Sequence, residues 1–169
     1  MDYNNLPMLV QPVELIVPAF QDREQIILNF GSIKEGERRL IEARVVTPST
    51  YSDLSYSFNE GYREARSNIT AIGYEIVQAE KIHQRIKSQL LLDEYPDFLK
   101  KSTMKDNATL RDAFFDRSPE LTEAQDRINM LKAMQSLMED KIKVFENVCK
   151  YMKVQMDLAK NGNFNSNKY

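Results

Sequence analysis

Two long apolar seams constrain this chain more than anything else in it. Phe58, Tyr62, Ala65, Ile69, Ile72, Ile76, Ala79, His83, Ile86 and Leu90 recur in alternating steps of four and three. Ala124, Ile128, Leu131, Gln135, Met138, Ile142, Phe145, Cys149, Met152, Met156 and Ala159 do the same. In an α-helix this spacing keeps a narrow stripe on one face, and a stripe held for more than four heptads asks for a partner helix. Leu121, Met130, Met134, Leu137, Val144, Val148 and Leu158 widen the second stripe, so that helix carries apolar surface for more than one neighbour. One polar residue interrupts each seam, His83 in the first and Gln135 in the second. A polar group at such a position fixes register at some cost in stability.

The expected fold is mainly α: two long helices form an antiparallel hairpin or coiled coil, with a short helix in the connection and a small N-terminal module. The first clear helix begins after the Pro/Ser/Thr-rich segment 48–58 and runs to about Tyr95, where Pro96 stops it. The second starts sharply, with Ser118 as cap, Pro119 at the first helical position and Glu120 at the positive end of the dipole. The connection 96–118 exceeds the usual length of a structureless loop but keeps Phe98, Leu99, Leu110, Phe114 and Phe115. A short helix is expected there near Asn107 to Asp116, with Asp106 as its candidate cap.

The N-terminal module, residues 1–47, reads in two ways. Runs 13–20 and 25–30 are short and β-branched, consistent with a hairpin whose first strand Pro18 pushes to an edge, followed by a helix over Ile33 to Val45. The alternative is one helix from Asp22 to Arg44, interrupted at Gly31 and Gly36. The expected organisation is therefore a module at 1–47, a helical hairpin at 48–160 and a disordered Asn-rich tail at 161–169.

Catalytic signatures are scarce. Glu80 and His83 have the spacing of a shared-metal pair, but a di-iron bundle needs that motif twice and His83 is the single histidine. Cys149, the only cysteine, sits in an apolar seam, where burial leaves a thiol inert. Neither a phosphate loop nor a nucleophile elbow is present, so neither an enzyme nor a cofactor is expected. The lone cysteine excludes an internal disulfide, no run of eighteen apolar residues exists, and the start of the sequence lacks a signal pattern. A soluble cytoplasmic protein without membrane contact is expected, and the sequons at Asn68 and Asn107 carry no weight.

A net charge of -2 gives no general pull toward phosphate, so nucleic-acid contact would need a local basic patch. Charge is unevenly spread: residues 1–45 have two more acidic than basic side chains, whereas 140–169 and 81–105 each have three more basic than acidic. The second basic stretch leads into the segment KKSTMKDNATLRDAFFDRSPE at 100–120, which interleaves cations with Phe114 and Phe115. Cations tracking a backbone beside aromatic rings suit single-stranded nucleic acid. The same rings could instead plug the end of a helical hairpin, which leaves Lys100, Lys101, Lys105 and Arg111 as the electrostatic candidates.

A long helix ending in YPDFLKKSTMKDNATLRDAFFD at 95–116, followed by LTEAQDRINMLKAMQSLMEDKIKVFENVCKYMK at 121–153, resembles the recombination mediators of T-even-like phages. The likeness covers about residues 75–157. It implies paired helices assembled into a ring, binding of single-stranded DNA, and contact with a recombinase and a single-strand-binding protein in the host cytoplasm. It also implies that Lys101 and Lys105, with Arg111, touch phosphate. The family's compact Lys/Arg run before the corner is absent, since 90–97 reads LLLDEYPD. Among the seam residues Ile69, Ile72, Ile76, His83, Leu131, Met138, Ile142 and Phe145 are the candidate interface between copies. The rival reading is a helical phage assembly, structural or inhibitor protein that acts through protein contacts alone.

Overall fold

A computed structural model describes residues 14–102 and 105–165, with side chains to Lys160. The first thirteen residues, 103–104 and 166–169, including the end of the expected tail, lie outside the described residues. The elements are β1 (Glu14–Val17), β2 (Ile26–Asn29), α1 (Gly31–Arg38), a 3-10 helix (Arg39–Arg44), α2 (Pro48–Asp93), α3 (Tyr95–Lys101), α4 (Ala108–Phe115) and α5 (Pro119–Asn165). The fold is mostly helical, with α2 and α5 packed together as the seams require. Two compact units divide it: Met1–Ile69 with Leu137–Tyr169, and Thr70–Ser136.

In the first unit, Phe58 meets Phe145 and Asn68 meets Met138, so α2 and α5 run antiparallel. Leu54, Phe58, Ala65, Met138, Phe145 and Met152 form the buried strip between them. The N-terminal module closes this strip from the side. β1 and β2 pair antiparallel with Leu15 opposite Leu28 and Val17 opposite Ile26, which turns Val17 and Leu28 into the core. Gln21 sits in the left-handed region at φ 54° in the loop that Phe20 and Arg23 close.

The hairpin decides the N-terminal alternative, and the expected helix over Ile33 to Val45 is corrected. It begins at Gly31, and its second half tightens into the 3-10 helix. Phe145 explains the glycine inside α1: its ring fills the space where a Cβ on Gly36 would stand, 2.7 Å from Cε1. Gly61 of α2 lies against the same ring, with a Cβ there 2.8 Å from Cζ. Polar ties fix the module. The Ile33 N–H donates to Glu64 Oε2 (2.9 Å), Asn68 Nδ2 donates to the Asn29 carbonyl (2.8 Å), and Lys141 pairs with Glu37. Asn68, half of a sequon in the sequence, is thus a buried structural tie.

In the second unit, Glu80 of α2 pairs with Lys132 of α5 at 2.9 Å. Ile72, Ile76, Ala79, Ile82, Ala124, Ile128 and Leu131 are buried there. Two buried charged residues, Glu75 and Arg127, belong to this layer. Desolvation pushes the Arg127 guanidinium below its ordinary value, against the opposing charge of Glu75.

Several expectations need correction. The seam of α2 steps three, not four, after Ala79, so Ile82 is buried and His83 sits half-exposed beside it. α2 begins at Pro48, taking in the segment 48–58 that was expected to precede it, because Thr47 and Thr50 cap each other: each hydroxyl accepts the other's backbone N–H, at 3.3 and 3.0 Å, and Pro48 takes the first helical position. α5 continues to Asn165, past the expected limit at 160. Its expected cap is present, with the Leu121 N–H donating to Ser118 Oγ at 3.2 Å. Thr47→Ala and Ser118→Ala are each expected to cost about 1 kcal/mol in denaturant unfolding, with helical content at the plateau unchanged.

Candidate nucleic-acid interface

The corner between α2 and α5 lies within the second unit and holds all four basic candidates. Pro96 has no N–H to donate to the Leu92 carbonyl and its ring crowds that carbonyl, so α2 stops at Asp93 and α3 restarts with the proline in its first turn. This extra helix has no counterpart in the sequence reading. The cap of α4 is Asn107, whose Oδ1 accepts the Leu110 N–H at 2.9 Å, and the expected cap Asp106 does something else.

Asp106 clasps the corner. Its carboxylate accepts the Tyr95 hydroxyl at 2.6 Å and the Arg111 guanidinium through Nε at 2.8 Å, with a second bond from the same guanidinium. The Arg111 bonds, then the Tyr95 bond, hold Asp106 down at about 2, below its ordinary 3.8. Arg111 moves up for the reciprocal reason, and burial raises the Tyr95 hydroxyl. Since the folded value of Asp106 lies below the ordinary one, the clasp contributes fully above about pH 4 and is lost as the pH falls through about 2. Asp106→Asn is expected to destabilise the protein at neutral pH and to flatten its acid unfolding between pH 4 and 2, which circular dichroism would follow.

The aromatic residues pack on one another. Tyr95 lies 5.2 Å from Phe114 between ring centroids, Phe98 lies 5.1 Å from Phe114, and Phe115 is 5.6 Å from Phe114. Cations cover the outside of the cluster: Arg111 over Tyr95 at 5.9 Å, Arg117 over Phe98 at 5.6 Å and Lys87 over Phe115 at 4.8 Å. Tyr95 and Phe115 are buried, so the cluster closes the end of the helical hairpin.

The four candidates therefore separate. Lys100 pairs with Asp97 at 2.9 Å, both largely exposed, a contact worth little and readily exchanged. Arg111 is committed to Asp106 and Tyr95. Lys101 and Lys105 are exposed and make no ion pair among the described residues. Lys87 was not singled out in the sequence reading. It lines an open cleft of about 450 Å³ with Gln84, Ser88, Asn107, Arg111 and Phe115. Its position four residues after His83 was the available signal, but only the fold brings it to Phe115.

The seam residues named as an interface between copies lie elsewhere. Ile72, Ile76, Leu131, Met138, Ile142 and Phe145 are buried by the chain's own helices, and Ile69 is half-buried. Their side chains already have partners, so contact with another copy in this conformation would need a different surface. His83 lines a second cleft with Asp112, Asp116 and Asp126 rather than a seam.

Cys149 is half-buried, and burial raises its thiol. Among the described residues no group of three His, Cys, Asp or Glu side chains could hold a metal ion, and no helix is long and apolar enough to cross a membrane. No family model matches this chain, and no curated protein or solved structure is significantly similar to it.

Proposed function

We propose that this chain is a non-catalytic, homo-oligomeric recombination mediator that binds single-stranded DNA and helps load a recombinase in the host cytoplasm. The observation that carries the reading is the pair Lys101 and Lys105, two unpaired ammonium groups at a corner fixed by the Tyr95–Asp106–Arg111 clasp. Ammonium groups without an internal partner can turn to phosphate oxygens without breaking a contact of the fold, and counterion release supplies the free energy. One corner alone would bind weakly. Repetition around an oligomer multiplies the affinity through effective concentration. Contacts with the recombinase and a single-strand-binding protein follow from the resemblance of residues 75–157 to the phage mediators. The test is binding of labelled single-stranded oligonucleotides across a salt series. Two phosphate contacts for each engaged chain predict a log-log slope of about -1.4 per chain, and absence of binding at low ionic strength refutes the proposal.

The second reading, a helical phage assembly, structural or inhibitor protein acting through protein contacts only, draws on the net charge of -2 and on rings that stack on each other. It expects no salt-dependent DNA binding.

A further inference from the structure

A second apolar row runs along α5 within the first unit, away from the buried strip. Leu137, Val144, Tyr151 and Leu158 stand seven residues apart, and all four are exposed, Tyr151 at 51% and Leu158 at 66%. Seven residues bring an α-helix back to within about 20° of the same face, so the four form one line. The opposite flank carries Glu139, Lys143, Glu146, Lys150 and Lys153, so the row is a segregated face rather than scattered apolar residues.

The N-terminal module extends it. Gln155 of α5 donates through Nε2 to the Arg44 carbonyl and accepts the Val46 N–H through Oε1, each at 3.2 Å. These bonds hold Val45, 77% exposed, beside the turn that carries Tyr151 and Leu158. Ile41, also exposed, lies one turn earlier in the 3-10 helix.

We infer that this face is the homo-oligomer interface, with α5 of a second copy seated against it. The inference rests on the homo-oligomeric reading above and supplies the surface that the buried seam residues cannot. Three observations select a second copy. A row of period seven is complemented by a helix of the same period, and α5 itself is such a helix. The four row residues are uncharged, and the two charged side chains beside them already have partners, Lys141 with Glu37 and Asp140, between Leu137 and Val144, with Lys143, so two rows can meet across a two-fold axis without an orphaned ion. The area also fits: together the four row residues, Val45 and Ile41 leave on the order of 700 Å² open, more than monomers usually expose in one patch and close to one partner's share of a standard interface.

Sedimentation velocity on the full chain over a concentration series tests this. The wild type is expected to self-associate, and Tyr151→Glu to weaken association by about tenfold or more with an unchanged helical spectrum. Leu158→Ser, at a more exposed position, should shift it in the same direction, and Lys153→Glu on the charged flank should leave it unchanged. A wild type that stays monomeric throughout, or variants that assemble as well as it does, would overturn the inference. The DNA reading fails separately: it is lost if no oligonucleotide binds, whatever the sedimentation shows.

Discussion

Phe145→Ala is expected to lower the unfolding free energy by about 3–5 kcal/mol. Phe145 is 1% exposed and its ring lies between Gly36 of α1 and Gly61 of α2 while facing Phe58, so truncation opens a cavity shared by three elements. The glycines give the converse experiment. Helix propensity alone would make Gly36→Ala and Gly61→Ala stabilising by about 1 kcal/mol each. The new methyl carbons would stand 2.7 and 2.8 Å from ring atoms, inside contact distance, and the second would also meet the Ser32 carbonyl at 3.1 Å. A ring held from both sides has little room to retreat, so overpacking wins and each substitution should destabilise by about 1–3 kcal/mol. Denaturant unfolding checks the sign. A cycle combining Gly36→Ala with Phe145→Leu should recover part of the loss, because the smaller side chain vacates the contact. Purely additive losses would mean the ring is not the obstacle.

Lys101→Glu together with Lys105→Glu is expected to abolish single-stranded DNA binding at moderate salt while leaving oligomer size and unfolding free energy unchanged. Both side chains are exposed and unpaired among the described residues, so reversal removes no internal contact and the change in fold stability should be within about 0.5 kcal/mol. Lys100→Glu should have a smaller effect on DNA, since Asp97 already offsets that charge. Arg111→Glu should destabilise the corner, since it sets a second carboxylate against Asp106. Fluorescence anisotropy with a labelled oligonucleotide reads the first two, and thermal unfolding reads the third. DNA binding unchanged by the double reversal would move the interface elsewhere. Failure of the wild type to bind would favour the protein-contact reading.

The caps show how one sequence signal was legible in one place and missed in another. Ser118-Pro119 and Thr47-Pro48 are the same device, a hydroxyl cap followed by proline at the first helical position. At Ser118 it was read as a helix start. At Thr47 the same signal precedes a Ser/Thr-rich stretch whose apolar periodicity becomes clear only from Phe58 onward. Asp106 and Asn107 show the opposite case: two adjacent residues could both cap α4, and the choice depends on Tyr95 and Arg111 reaching Asp106.

The sequence by itself determined the two long helices and most of the buried positions, because a three-and-four spacing keeps an apolar stripe on one helix face that another helix must cover. It also determined the cap of α5 and the breadth of that helix's apolar face. Only the tertiary structure decided what lies against what. The hairpin of the N-terminal module, the glycine slot around Phe145, the clasp at Asp106 and the separation of Lys101 and Lys105 from Lys100 and Arg111 all join side chains far apart in the chain or competing for one partner. Local propensity is silent on such choices, since they turn on distances of a few ångströms that exist only once the helices have packed.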